Sequence, residues 1–198
     1  MLGNFDTVDS VSSTIGQGVE GLCLNIGCGE TTFPNFINVD CVANETVKPD
    51  LICNIKKEKL PYADNTVDQI WMLHAIEHIE MCFWEDIFRE YARCLRPNGF
   101  LLLSYPEFSE CARRFVNNVG NQKAFWRKTL YGRQLYPSDY HVVPMDSREL
   151  KEILETLGFY RVQFCPESKC SEYNTILRAM KDPDPITRES VIVKELGL

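Results

Sequence analysis

A short apolar run, Leu22-Cys-Leu-Asn-Ile26, stops at Gly27-Cys28-Gly29, and a second, Phe36 to Val39, ends at Asp40. No other feature constrains the fold as tightly. Glycine tolerates positive φ and has no Cβ, so a ligand can lie directly against the backbone of such a loop. A carboxylate at the tip of the next strand accepts two hydrogen bonds at once, which suits the hydroxyls of a ribose. The pairing reads as a nucleoside site at the carboxyl edge of a parallel sheet. The link between the two strands is unusually short. A full βαβ crossover needs about 10–12 residues, whereas this link has room for about one helical turn. Thr31-Thr32-Phe33-Pro34 is therefore expected to be a tight connection or an abbreviated helix.

Further strands are expected at Asp50 to Cys53, leading to Asn54, at Val67 to Leu73 and at Phe100 to Ser104. Near-continuous apolar runs of this kind suit parallel strands covered on both faces. Phe83, Ile87, Phe88, Tyr91, Ala92 and Leu95 form one stripe of an amphipathic helix, and Arg96-Pro-Asn-Gly99 is expected to break it. Asp146 and Glu149 make a capping-box pair before Leu150, Ile153, Leu154 and Leu157, with Gly158 as the stop. Phe159 to Phe164 and Asn174 to Ala179 read as a closing antiparallel pair. Strands alternating with helices point to a doubly wound α/β sheet. The expected division is an N-terminal arm (1–20), a domain (21–180) and a charged tail (181–198) with a short helix from Ile186 to Leu196. Residues 105–145 are rich in aromatics without a clean period, and are read as a substrate lid inserted over the sheet.

With 198 residues, 44% hydrophobic and 25% charged, the chain has the size and composition of one ordinary globular domain. No apolar run approaches a membrane span, and the N-terminus lacks the layout of a signal peptide, so a cytoplasmic protein is expected. Nine cysteines, none spaced as CxxC and several inside apolar runs, suggest reduced core thiols. A net charge of −7 disfavours nucleic acid as a partner. Against that balance, Arg113, Arg114, Lys123, Arg127, Lys128 and Arg133 fall in a stretch, Cys111 to Ser138, without a single acid. This segment is expected to draw a small anionic substrate, since guanidinium groups suit carboxylate and phosphate.

His74-Ala-Ile-Glu-His78 spells the inverted zinc-peptidase motif, H-x-x-E-H. A zinc-dependent hydrolase using His74 and His78 is thus an alternative. On a helix the motif would place two imidazoles one turn apart, but His74 directly follows an apolar strand and belongs at its tip. Spacing supplies no third ligand, and no metal is expected. Glu77 and His78 then read as packing and hydrogen-bonding residues. A nicotinamide site is excluded because Thr32 stands where the third glycine of GxGxxG belongs. The acid also lies eleven residues beyond Gly29 rather than about 20. His141, among Tyr131, Tyr136 and Tyr140, is either a general base or a structural pin for the insertion.

These residues resemble the class I S-adenosylmethionine-dependent methyltransferases. The likeness runs through Leu24-Asn-Ile-Gly-Cys-Gly29, Asn38-Val-Asp40, Leu60-Pro-Tyr62 with Asp68-Gln-Ile-Trp71, Glu77-His78 and Leu95-Arg-Pro-Asn-Gly-Phe100. The chain is most similar to small members with a short first crossover and a Tyr-Gly-x-Gln-x-Tyr-Pro segment, here Tyr131-Gly-Arg-Gln-Leu-Tyr-Pro137 followed by Tyr140-His141. The resemblance implies a Rossmann-like, seven-stranded, mostly parallel sheet and S-adenosyl-L-methionine as cofactor. Gly27 and Gly29 would pass the methionine part, Asp40 would hold the ribose and Asn54 would meet the adenine. The His74 backbone would lie by the sulfonium, with Asn25, Cys28, Cys41, Ile55 and Ala75 as neighbours along the cofactor. Tyr131, Arg133, Tyr140 and His141 would contact the substrate, a small anionic or sugar-linked acceptor. A non-catalytic partner subunit that keeps the cofactor pocket is the other reading.

Overall fold

The computed structural model describes residues 21–164 and 173–183. Four apolar runs form β1 (Cys23–Ile26), β2 (Ile37–Asp40), β3 (Leu51–Ile52) and β4 (Val67–Leu73). With β5 (Leu95–Pro106), β6 (Phe159–Phe164) and β7 (Asn174–Lys181) they make a seven-stranded sheet in the order β3-β2-β1-β4-β5-β7-β6. Strand β7 is antiparallel to both its neighbours, and every other pairing is parallel. The carboxyl ends of β1 to β5 therefore share one edge, with the reversal of strand order falling between β1 and β4. Ligands of such sheets bind at that edge. Gly27, Asp40 and His74 all follow or end strands there.

One expectation is corrected in β5. Arg96 to Gly99 does not end one element and start another. Val67 pairs with Leu95 and Gln69 with Phe100, so the intervening residues loop out of a single long strand, with Asn98 at φ +62°.

Helix α1 (Trp84–Cys94) buries Ile87, Phe88 and Tyr91 from the stripe seen in the sequence, together with Trp84 and Cys94. Two helices lie where the sequence showed no period, α2 (Phe108–Val116) and α3 (Lys123–Tyr131). The first buries Cys111 alone and the second Trp126 alone, so neither needs an apolar stripe. Helix α4 (Ser147–Thr156) is capped as expected, the Asp146 side chain accepting from the amides of Arg148 and Glu149. Seven cysteines are free, with Cys23, Cys28, Cys53, Cys94 and Cys111 buried and Cys41 and Cys82 exposed. Cys165, Cys170, the N-terminal arm and the expected tail helix lie outside the described residues.

Between β1 and β2 the chain makes turns and no helix, so aromatic rings cover the sheet instead. Trp71 is wholly buried, with the ring centroids of Phe33 and Phe36 at 5.6 and 4.5 Å. Cys23 and Leu102 complete this patch. A buried amide pair holds the link in place. The Asn25 side chain donates to the Thr31 carbonyl (2.9 Å) and to Asn38 Oδ1 (3.0 Å), and Asn38 Nδ2 donates to Asp50 (2.8 Å). Asn38 Oδ1 also accepts from the Phe33 amide at 2.9 Å. Turn donors that a helix would have satisfied are thus met by side chains. Phe36→Ala should cost about 3–5 kcal/mol of stability, whereas Leu135→Ala at an exposed position should stay within about 0.5 kcal/mol. Equal denaturation midpoints for the two variants would contradict the packing role of Phe36.

Candidate active site

Gly27 and Gly29 are both glycine for a reason, and the reasons differ. Gly27 sits at φ +67°, and a Cβ there would lie 2.6 Å from the Cβ of Ala75, so the end of β1 presses on the turn after β4. Its amide and that of Cys28 both donate to the Val39 carbonyl, at 2.8 and 3.1 Å. Gly29, at φ +52°, faces open space. Its amide donates to Asp40 Oδ2 (2.9 Å), while Oδ1 accepts from the Val42 amide (3.1 Å). Each carboxylate oxygen keeps a lone pair. An open glycine beside an oriented carboxylate fits the methionine-to-ribose part of a nucleoside. The Cys28 thiol is pushed up to about 11, first by burial and then by the Asp40 charge, so it is a neutral lining group.

The other residues expected along the cofactor divide in two. Asn54 is half-buried and accepts from the Lys56 amide at 3.1 Å, Ile55 packs on the core, and Cys41 is exposed just past Asp40. Asn25 is corrected: at 2% exposure its side chain is spent on Thr31 and Asn38, so it builds the link and not the ligand surface.

His74 ends β4 at φ +52°, its amide bonded to the Ser104 carbonyl at 2.9 Å. It is a turn residue and not part of a helix; only Ile76–His78 make a single 3₁₀ turn. Beside His74 lies a cavity of about 480 Å³. His74, Phe125, Lys128, Arg133, His141 and Asn174 are among its lining residues. The cavity does not include the glycine loop. His74-Ala75 borders both, Ala75 touching Gly27 and His74 lining the cavity.

Four titratable groups meet here. Glu77 is 1% exposed, and neither of its carboxylate oxygens has a hydrogen bond. Its Oε1 lies 3.3 Å from His74 Nδ1, an ion-pair contact that falls short of a hydrogen bond. His78 and His141 stack edge to face with centroids 4.8 Å apart. Burial raises the pKa of Glu77, but its surroundings, led by the contact with His74, outweigh it and hold the carboxyl below its ordinary value. Burial in turn holds His141 below its ordinary value against the pull of Glu77, so this imidazole is neutral near pH 7.

The segment 131–141 is what carries His141 there. Gly132 is at φ +77°, and a Cβ would fall 1.9 Å from the Asp139 carbonyl oxygen. Gly132 pairs with Tyr140, and buried Asp139 accepts from Arg133 Nε and the Leu135 amide, both at 3.1 Å. Tyr131 and Tyr140, expected to contact the substrate, are exposed at 53% and 43%, and neither lines the cavity. Their carbonyls do the holding: that of Tyr131 accepts from the His141 amide (3.2 Å), that of Tyr140 from His78 Nδ1 (2.9 Å). The basic segment is also less uniform than its sequence. Arg113 and Arg114 close on Glu110, whereas Lys128 and Arg133 line the cavity. Phe125, Thr129, Tyr173 and Asn174 line it too, without any signal in the sequence.

A family model described as a methyltransferase domain matches residues 9–163. No curated protein matches the chain. Among solved structures, an S-adenosylmethionine-dependent methyltransferase from Archaeoglobus fulgidus superposes with TM-score 0.63 at 18% identity, over 90% of this chain and 95% of that one. One from Thermotoga maritima gives TM-score 0.59 at 16% identity, over 89% of each chain. Phosphoethanolamine N-methyltransferase 2 of Haemonchus contortus, solved with S-adenosyl-L-methionine, gives 0.55 at 13% identity, over 91% of this chain and 53% of that one. The Gly27–Ala75 contact makes a direct test. Gly27→Ala should lower stability by about 2 kcal/mol or more, from the clash and from positive φ. Adding Ala75→Gly should recover the steric share and leave about 1 kcal/mol of backbone strain. A double variant no more stable than the single one in denaturant titration would rule the contact out.

Proposed function

We propose that this chain, which belongs to the methyltransferase-domain family and uses S-adenosylmethionine as its methyl donor, methylates a small acceptor bearing an anionic group. The observation that carries this is the cavity beside His74, with Lys128 and Arg133 in its lining and no carboxylate among the lining residues. When bound, S-adenosylmethionine supplies an electrophilic methyl group on a sulfonium.

The chain's own residues supply the rest. Gly27, Gly29 and Asp40 would hold the donor beside Ala75, with Asn54 beyond them. The cavity beside His74 would hold the acceptor, so the main chain of that one turn sets the alignment. Alignment in a site shielded from water is the largest contribution protein residues make to a displacement of this kind. Lys128 offers a mobile point charge, while Arg133 is braced by Asp139 and by the Tyr136 hydroxyl (3.1 Å) and so presents a fixed one. Phe125 and Tyr173, with centroids 5.7 Å apart, give the cavity an apolar wall for the body of the acceptor. The hydrolase alternative has no support in this family, and the helix its motif requires is absent at His74.

Calorimetry with S-adenosylhomocysteine should give a 1:1 complex, weakened about 10–100-fold by Asp40→Ala, the loss expected for hydrogen bonds to a charged group. A methyl-release screen over carboxylate, phosphate and sugar-linked acceptors finds the substrate. For that substrate, Lys128→Glu should raise KM about tenfold or more with S-adenosylhomocysteine affinity unchanged. An unchanged KM would exclude the anionic acceptor, and unaltered nucleoside binding by the Asp40 variant would exclude the donor site.

A further inference from the structure

We propose that Glu77, His78 and His141 bind a divalent cation, of the first-row transition class that takes mixed nitrogen and oxygen ligands, beside the acceptor cavity. The site stands on its own geometry. Only its role toward the acceptor rests on the reading above.

The fold supplies the third ligand that spacing in the sequence did not. His141 lies 63 positions beyond His78 in the chain, yet one ligand atom from each of the three residues falls within 4.8 Å of the others. Ligand atoms around a bound ion stand ~3–3.5 Å apart when bonds are about 2.0–2.2 Å. Closing the set takes a shift of ~1.5 Å at most, within reach of side-chain rotation. A recess of about 10 Å³ touches two of the three, Glu77 and His141, and not His78; the rest of its wall is mostly apolar, with Phe108, Leu130, Val143 and Met145.

Two independent observations point to a ligand. The first is the Glu77 carboxylate, 1% exposed with no hydrogen bond to either oxygen. Buried carboxylates are otherwise hydrogen-bonded, paired or metal-bound. His74 Nδ1 stands 3.3 Å from Oε1 as its ion-pair partner, which leaves Oε2 with no polar partner among the described residues. The second is how His78 is held. It donates its Nδ1 proton to the Tyr140 carbonyl (2.9 Å), so the ring spends one nitrogen on the backbone and keeps the other as a lone-pair donor. Metal-binding histidines are oriented in this way. The loop closed by Gly132 and Asp139 supplies that carbonyl and also carries His141, its last residue.

Two imidazoles and one carboxylate suit zinc, manganese, cobalt or iron in the divalent state; magnesium and calcium prefer all-oxygen shells. Three protein ligands leave at least one coordination position open, and His141 borders the cavity into which it opens. A hydroxyl of the acceptor held there would be fixed in place with a lowered pKa, and its proton would pass to solvent water as the methyl group arrives. His141 then acts as a ligand, in place of the free base expected from the sequence, and the favoured acceptors are those with a hydroxyl beside their anionic group.

The test uses the full chain, stripped with chelator and titrated with Mn²⁺ (by electron paramagnetic resonance) and with Co²⁺ (by absorption). One equivalent should bind, with cobalt bands of a nitrogen–oxygen site. His78→Ala and His141→Ala should each weaken binding roughly 100-fold, with unchanged near-ultraviolet circular dichroism and unchanged S-adenosylhomocysteine affinity. Glu77→Gln is a third variant, and the two histidine variants decide the matter if it fails to fold. Binding below one equivalent, a His141→Ala protein that binds as the parent does, or thiolate-to-cobalt charge transfer marking Cys41 or Cys82 would each overturn the site. Metal binding without nucleoside binding would count against the methyl-donor site alone, and the reverse against the metal site alone.

Discussion

A carboxylate sealed away from solvent is tolerated only where charge meets it, since leaving it unmatched costs several kcal/mol. Glu77 is such a group, and the working edge of the sheet is built to meet it. The positive φ at His74 turns the chain so that one imidazole reaches the carboxylate from its own strand. The single 3₁₀ turn that follows places His78 beside it. The loop from Tyr131 to His141 has no apolar core of its own and closes on Asp139 instead, which lets it deliver a third imidazole from the far side of the sheet. Three histidines in 198 residues thus converge on one acid.

The second constraint is the Gly27–Ala75 contact. Strands β1 and β4 are neighbours in the sheet, and the loops that follow them touch with no room for a single methyl group. That contact fixes how closely the glycine loop approaches the turn that carries His74. The aromatic patch of Phe33, Phe36 and Trp71 takes the place of a helix on the same side of the fold and keeps β2, and so Asp40, in register without one. In this protein the glycine loop therefore works by shape and by hydrogen bonds to Asp40. It lacks the dipole of a following helix.

What was legible in the sequence follows from which physics is local. Strand β4, α1 and α4 were read to within about a residue because burial period and capping are written in adjacent residues. The glycines and Asp40 were legible because the loop needs residue types that few other roles demand. Helices α2 and α3 were not, since each buries one residue and leaves no stripe. Asn25 was assigned to the ligand because a strand-end amide carries no mark of which way it faces; its partner Asn38 is on another strand. Tyr131 and Tyr140 contribute carbonyls rather than rings, and side-chain identity says nothing of a carbonyl. The meeting of Glu77, His78 and His141 depends on a loop closure across the sheet, which no spacing rule encodes.

In this reading His74-Ala75 borders a donor site on Asp40 and an acceptor site beside Lys128, with a cation next to the latter. A crystal grown with S-adenosylhomocysteine and Mn²⁺, measured at the manganese edge, tests it most directly. The prediction is one anomalous peak at about 2.0–2.2 Å from ligand atoms of Glu77, His78 and His141, with the nucleoside on Asp40 and its sulfur against the main chain of His74-Ala75. A manganese peak elsewhere, or a nucleoside lying in the Lys128 cavity, would contradict it.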